Sequence, residues 1–131
     1  MIESAPMNFA VSAASRRWLL ILYWIAMFLA THWPDIDLYA PERVRALPYL
    51  DKLVHFGLYL GWALMWGWLL SAGVRRMAPA VKVWLFAGGA AWGVFDELTQ
   101  AFVDRQPSVG DFACDMVGLA TGLVLLTLWR R

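Results

Sequence analysis

The chain has 131 residues, of which 61% are hydrophobic and 16% are charged. A soluble domain has about 45–50% apolar and about 25% charged residues. The formal net charge of +1 offers no basic surface for nucleic acid. The single cysteine, Cys114, excludes an internal disulfide and a cysteine-based zinc site. We therefore expect one small integral membrane domain over residues 1–131.

Four apolar segments are long enough to cross a membrane, which takes about 20 residues within a range of about 17–25. They cover residues 16–33, 53–72, 81–103 and 112–129. Arg16 and Arg17 at the start of the first segment, followed by an apolar run, resemble the start of a signal peptide, but no small-x-small cleavage site follows, so we expect this segment to stay as an anchor. The sequence thus predicts an all-α, four-helix bundle in the membrane.

The connectors between these segments differ in length and composition. The longest, residues 34–50, contains Pro34, Pro41 and Pro48 as well as several acidic residues. Residues 41–47 are predicted to form a short helix at the membrane surface, because proline is tolerated at the start of a helix. The connectors at 73–80 and 104–111 are brief.

The charge distribution predicts the orientation of the chain. The two termini and the 73–80 turn with Lys82 hold seven of the 11 basic residues but one of the 10 acidic residues. Because Lys and Arg accumulate on the cytoplasmic side, we expect both termini in the cytoplasm and the 34–50 connector outside. Tryptophans close to the segment ends are expected at the two membrane interfaces. They are Trp18, Trp33, Trp84 and Trp129.

The ionisable residues in or beside the apolar segments gather at the outer end of the predicted bundle. A charge deep in a membrane helix costs at least about 2.5–3.5 kcal/mol, so such residues face the bundle interior. Their common level predicts a shared polar pocket at the outer face. They are His32, Asp51, Lys52, His55, Asp96, Glu97, Arg105, Asp111 and Asp115, with Tyr59 and Gln100 as neutral neighbours.

The spacing of these residues places them on shared helix faces, because residues three or four apart are neighbours on a helix. On two of these helix faces the row of residues also contains two glycines with the spacing G-x-x-x-G. Such pairs of small residues let helices approach closely. The carboxylates should therefore point between helices. The rows are Asp51–His55–Tyr59, then Gly89–Gly93–Glu97–Gln100, then Asp111–Asp115–Gly118–Gly122, whereas Gly57 and Gly61 lie on another side of the second helix.

Several of these residues also fit purely structural roles. Ser108 and Asp111 match a capping box for the fourth helix, and Asp51 is placed to cap the second. Asp96 and Glu97 are adjacent, so their side chains differ by about 100° around the helix. One of these two carboxylates is therefore expected to face only a helix interface.

Four motifs resemble the VanZ-like family of small bacterial membrane proteins. In the family's order, they are Asp51-Lys52-x-x-His55-Phe56-x-x-Tyr59, Glu97-x-x-Gln100, Arg105-x-x-Ser108-x-x-Asp111 and Gly118-x-x-x-Gly122. Asp115 departs from the pattern, since the family often has Asn there. The resemblance implies a multi-pass protein of the bacterial cytoplasmic (inner) membrane and the cell envelope. It also implies a link to teicoplanin resistance, which nothing in the residues themselves supports.

The sequence supports two functions almost equally. The first is a non-catalytic protein that binds a lipid headgroup or a lipid-linked envelope precursor, or an accessory subunit that packs against another membrane protein. The second is an enzyme acting on such a lipid, with His55, Glu97 and Asp115 as candidate acid–base residues. A transporter ranks last, because the inner halves of the segments lack a polar route. Candidate ligand-binding residues are Asp51, Lys52, Tyr59, Gln100, Arg105 and Asp111, with Lys52 and Arg105 placed to hold an anionic group.

The same residues offer oxygen and nitrogen ligands for a metal, from His55, Glu97, Asp111 and Asp115. No HExxH motif or similar local spacing accompanies them. The sequence therefore assigns no metal and no cofactor.

Overall fold

The computed structural model describes residues 11–33, 41–45, 49–70 and 77–129. Within these residues the secondary structure is helical, with no strands, which confirms the all-α prediction. The elements are α1 (Ala13–Thr31), a short α2 (Glu42–Arg45), α3 (Leu50–Leu70), α4 (Pro79–Gln100), a 3-10 turn (Ala101–Val103) and α5 (Val109–Leu128).

Three of the four long helices are long and apolar enough to cross a membrane, namely α1, α3 and α5. Helix α4, expected as a span, has 22 residues and is long enough, but it does not meet the same standard of apolar composition. Lys82, Asp96 and Glu97 reduce its apolar character. The fold is thus compatible with a membrane, whereas a crossing by α4 and the cytoplasmic position of both termini remain predictions.

Serine side chains cap the first turns of two of the long helices. Each long helix starts two or three residues before the apolar segment that predicted it. Ser12 caps α1 and accepts a hydrogen bond from the Ser15 backbone N–H at 3.1 Å. Ser108 caps α5 and accepts one from the Asp111 N–H at 3.2 Å, which confirms its expected capping role.

The short helix expected in the first connector is present in part. Helix α2 begins at Glu42, directly after Pro41. The end of the predicted segment, residues 46 and 47, lies outside the described residues, as do Pro34, Pro48, residues 73–76 of the 73–80 turn and the terminal arginines.

Helices α3 and α5 run parallel and form the closest contact in the bundle. The glycines of α5 make this approach possible: a Cβ atom at Gly118 would clash with the backbone carbonyl oxygen of Phe56, and one at Gly122 would lie 2.6 Å from the Cβ of Ala63. The predicted small-residue seam on α5 is therefore confirmed. Gly61 instead faces Tyr23 on α1, as its phase indicated.

The apolar core lies in the middle of the bundle and is rich in aromatic side chains. The ring centroids of Trp24 on α1 and Trp92 on α4 are 4.4 Å apart, and those of Trp24 and Trp62 on α3 are 6.1 Å apart. Tyr59 is fully buried and joins this core to the polar end. The tryptophans expected at the membrane interfaces, Trp18, Trp33, Trp84 and Trp129, are all more than half exposed.

Candidate functional site

One end of the bundle holds the buried polar side chains of the described residues. The last turns of α1 and α4 meet the first turns of α3 and α5 there, because successive long helices alternate in direction. Since α1 and α4 end where α3 and α5 begin, residues far apart in sequence share one level. The buried polar residues are Thr31, His55, Asp96, Glu97, Gln100, Asp111 and Asp115.

A histidine and two carboxylates form the centre of this end, and we call His55, Glu97 and Asp115 the buried triad. The Nδ1 atom of His55 lies 2.9 Å from Oδ1 of Asp115 and 4.0 Å from Oε1 of Glu97. The side chains of His55, Glu97 and Asp115 are 1%, 8% and 0% exposed, respectively. The triad therefore links α3, α4 and α5. This contact is compatible with the helix faces on which the sequence places the three residues.

A backbone group orients the glutamate of the triad. The Ser108 N–H donates a hydrogen bond to Oε2 of Glu97 at 2.6 Å. The other oxygen, Oε1, is left on the side of His55. The same residue therefore caps α5 with its hydroxyl and positions Glu97 with its amide.

The triad leaves polar atoms without hydrogen-bond partners among the described residues. These buried atoms include Nε2 of His55, Oε1 of Glu97 and Oδ2 of Asp115, and the hydroxyl of Tyr59 lies in the same region without a partner. Buried polar groups in native proteins nearly always have a partner, so unpaired ones need an explanation such as a ligand, an ion or water. Several at one place mark this cluster as a site.

The two cations at this end are paired with carboxylates of the chain itself. Nζ of Lys52 donates to Asp111 at 3.0 Å, and Nη2 of Arg105 donates to Asp51 at 2.8 Å. Arg105 also donates from Nη1 to the backbone oxygen of Thr31 at 2.7 Å, which ties α1 to the loop before α5. Both cations keep unused donors, since an ammonium has three and a guanidinium five.

A second polar contact lies between α1 and α4. Thr31 donates from its hydroxyl to Oδ1 of Asp96 at 2.8 Å, and Nδ1 of His32 lies 3.6 Å from the same oxygen. Nε2 of His32 lies 2.9 Å from the hydroxyl of Thr99. Asp96 thus faces the α1 interface, while the adjacent Glu97 faces the triad, as their different directions around α4 predicted.

Sequence reasoning missed Thr31 and Thr99 as members of this polar end. Both are uncharged, so they did not stand out in an apolar segment. Their position along the bundle axis could have revealed them, because Thr31 directly precedes His32 and Thr99 lies three residues after Asp96. Gln100, which was predicted, is 1% exposed.

A groove between α4 and α5 reaches the triad from the side of the bundle. Its volume is about 190 Å³. Among the described residues, Glu97 is the only ionisable one in the wall, and the outer apolar residues Leu98 and Val109 are 62% and 87% exposed. The groove therefore links an apolar surface to a buried carboxylate. Its lining consists of Val94, Glu97, Leu98, Pro107, Ser108, Val109 and Phe112.

Two groups of side chains have the spacing to hold a metal ion. One is the buried triad, and the other consists of Asp51, His55 and Asp111. In each group, one ligand atom from every residue lies within 4.8 Å of the others. The second group differs from the triad because Arg105 and Lys52 already neutralise its carboxylates.

The fold and the site define a small helical protein, compatible with a membrane, that holds a buried ionisable cluster at one end. A family model described as VanZ/LLP1 matches residues 4–130. The chain belongs to the VanZ/LLP1 family, which confirms the resemblance of its motifs. Neither a curated protein nor a solved structure matches it.

Proposed function

We propose that this protein binds a membrane lipid or a lipid-linked cell-envelope precursor in the groove between α4 and α5, with the polar head at the buried triad. The observation that carries the proposal is the position of Glu97. Its side chain forms part of the groove wall, and its Oε1 lies 4.0 Å from Nδ1 of His55. A ligand in the groove would therefore contact both apolar surface and the cluster.

The apolar lining of the groove favours a lipid chain as its occupant, and its small volume admits only part of one. Pockets for drug-sized ligands measure about 300–1,000 Å³, whereas this groove holds about 190 Å³. Val94, Leu98 and Phe112 offer apolar contact to a chain segment. Ionisable residues at membrane depth are costly and commonly mark a functional site, which favours a polar head at Glu97.

The cations at the same end fit an anionic headgroup. Lys52 has a side chain that is 40% exposed, and it uses one of its three donors on Asp111. Arg105 keeps donors beyond those directed at Asp51 and Thr31. Each cation therefore has donors left for a phosphate group while it keeps its ion pair.

The alternative function is catalysis at the same place, and one observation favours it. Asp115 accepts a hydrogen bond from Nδ1 of His55, and Nε2 has no partner among the described residues. A histidine oriented in this way by a carboxylate can take or give a proton at its other nitrogen. In that case His55 acts as the acid–base residue, with Glu97 or Asp115 as its partner.

The test is lipid retention by the full chain purified in mild detergent, measured by mass spectrometry of the extracted lipids. Leu98→Trp should fill the groove and reduce the retained lipid several-fold. Leu22→Trp is the matched control, because Leu22 on α1 is 58% exposed and does not line the groove. Equal lipid content in both variants contradicts the proposal and favours an accessory subunit that packs against another membrane protein.

Incubation with the identified lipid separates a binder from an enzyme. Conversion of the lipid by the wild-type protein, with loss of conversion in His55→Gln, supports the enzyme. Unchanged lipid supports the binder. Teicoplanin susceptibility of cells with and without the protein is a separate readout for the resistance role that the family resemblance implies.

A further inference from the structure

We infer that the buried triad of His55, Glu97 and Asp115 binds a divalent transition-metal ion, Zn²⁺ or Mn²⁺. Three observations support this inference: the distances between ligand atoms, the balance of charge around them, and the buried carboxylate oxygens of the triad that have no hydrogen-bond partner among the described residues. The binding of the ion does not depend on the proposed lipid function.

The two distances from His55 to the carboxylates of the triad fit ligands of one ion. Metal–ligand bonds to nitrogen and oxygen are about 2.0–2.2 Å, so two ligands of one ion lie at most about 4.2 Å apart. Nδ1 of His55 lies 2.9 Å from Asp115 and 4.0 Å from Glu97, both within this limit. An angle of about 90° at the metal gives a separation of about 3.0 Å, close to the His55–Asp115 distance.

The charge around the triad also favours a cation. Glu97 and Asp115 have no Lys or Arg partner within 4.0 Å among the described residues, and the only nearby positive group is His55 when protonated. Asp51 and Asp111, by contrast, are paired with Arg105 and Lys52. Burying two carboxylates without compensation is expensive. One divalent ion would neutralise both and leave His55 as a neutral ligand.

The unpartnered atoms are the independent observation that points to a ligand. Oε1 of Glu97 and Oδ2 of Asp115 have no hydrogen-bond partner, although both side chains are more than nine-tenths buried. The Ser108 N–H holds the other oxygen of Glu97 at 2.6 Å. Metal-binding carboxylates are commonly oriented by such an outer hydrogen bond.

The donor set selects the class of ion. Imidazole nitrogen is a ligand of Zn²⁺ and other transition metals, while carboxylates also suit Mn²⁺. Mg²⁺ and Ca²⁺ prefer oxygen ligands alone. Three protein ligands leave a coordination position open, as in catalytic metal sites. If the proposed function is correct, a headgroup phosphate in the groove would bind to that position.

The experiment measures metal directly on the full chain in detergent micelles. The protein is stripped with a chelator, incubated with ZnCl₂ or MnCl₂, separated from free metal, and analysed by mass spectrometry for metal content. We expect close to one ion per chain and a higher unfolding temperature with metal than without. Glu97→Gln and Asp115→Asn should each weaken binding at least about tenfold, because changes to the outer partners of metal ligands already cost about 10–100-fold in affinity.

Two further variants act as controls. Asp104→Asn removes an exposed carboxylate outside the triad and should leave binding unchanged. Asp51→Asn tests the second group of possible ligands and should also leave binding unchanged. All variants are compared by size-exclusion chromatography and helical circular dichroism, and the stoichiometry of the wild-type protein is decisive even where a variant does not fold.

The result can overturn the inference in three ways. These are a wild-type protein without bound metal after incubation, unchanged binding in both Glu97→Gln and Asp115→Asn, or loss confined to Asp51→Asn. The first result would mean that shared protons balance the charge of the triad. The variant Leu98→Trp separates the metal inference from the lipid proposal, because it should lose lipid while it keeps the metal.

Discussion

His55 on α3 and Asp115 on α5 are hydrogen-bonded at 2.9 Å, with both side chains almost completely buried. Two neighbouring contacts follow the same pattern along the parallel helix pair. Lys52 pairs with Asp111 one turn towards the end of the bundle, and Phe56 contacts Gly118 one turn further in. The close approach of the glycine seam therefore brings His55 and Asp115 within hydrogen-bonding distance.

The first prediction concerns the hydrogen bond between His55 and Asp115. In Asp115→Asn the amide oxygen can still accept from Nδ1, so the fold should be largely kept. In Asp115→Leu a buried nitrogen loses its partner, which should lower the free energy of unfolding by about 1–3 kcal/mol. Thermal unfolding in detergent measures the difference. Equal unfolding temperatures for the two variants would show that the hydrogen bond does not stabilise the α3–α5 contact.

The second prediction tests the glycine seam itself. Gly118→Ala places a methyl group against the Phe56 carbonyl and should destabilise the protein by about 1–3 kcal/mol. Gly57→Ala is the matched control, because nothing lies within 4 Å of a Cβ at that position. The control should be neutral or stabilise by up to about 1 kcal/mol, since alanine favours helix. The unfolding temperatures of both variants are the measurement, and a similar loss in both would contradict the seam.

Helical periodicity accounts for much of this arrangement. It placed Asp111, Asp115, Gly118 and Gly122 on one face, and the structure has that face against α3. It also separated Asp96 from Glu97, and these residues do face different helices. Faces of single helices could be predicted because they depend only on residue spacing.

The contacts made by the loop before α5 could not be predicted in the same way. Asp104 has φ 58°, a left-handed conformation that lets the chain turn sharply after the 3-10 turn. Because of this turn, Arg105 reaches Thr31 and Asp51, and the Ser108 N–H reaches Glu97. Such contacts depend on the path of the loop, and spacing along one helix contains no information about it.

The third prediction concerns the orientation of the chain in the membrane. Asp104 and Ala78 are both exposed and lie beyond opposite ends of α4. In a Cys114→Ser background, Asp104→Cys should react with a membrane-impermeant reagent on intact cells, and Ala78→Cys should react only after permeabilisation. This pattern follows from the excess of basic residues on the predicted cytoplasmic side. The reverse pattern would place the polar end in the cytoplasm.

The last prediction concerns ligand binding at the polar end, and it uses the lipid identified by retention. Glu97→Gln keeps the size of the side chain and its bond to the Ser108 N–H, but it removes the charge. A charged carboxylate accepts stronger hydrogen bonds from hydroxyl or ammonium groups of a lipid head than an amide does, so the variant should bind the lipid about tenfold or more weakly, which equals about 1.4 kcal/mol. The protein should still insert and express normally. A purely structural Glu97 should tolerate Gln and be impaired only by Ala.

The cations supply the matched comparison for the same assay. Arg105→Ala removes a guanidinium at the polar end, whereas Arg43→Ala removes one at an exposed position of α2. An anionic headgroup should bind more weakly to the first variant and almost normally to the second, because only Arg105 lies beside the cluster. Affinity is measured for each variant at equal protein concentration in nanodiscs. Wild-type affinity in both Glu97→Gln and Arg105→Ala would contradict a headgroup site and leave packing against another membrane protein as the better explanation.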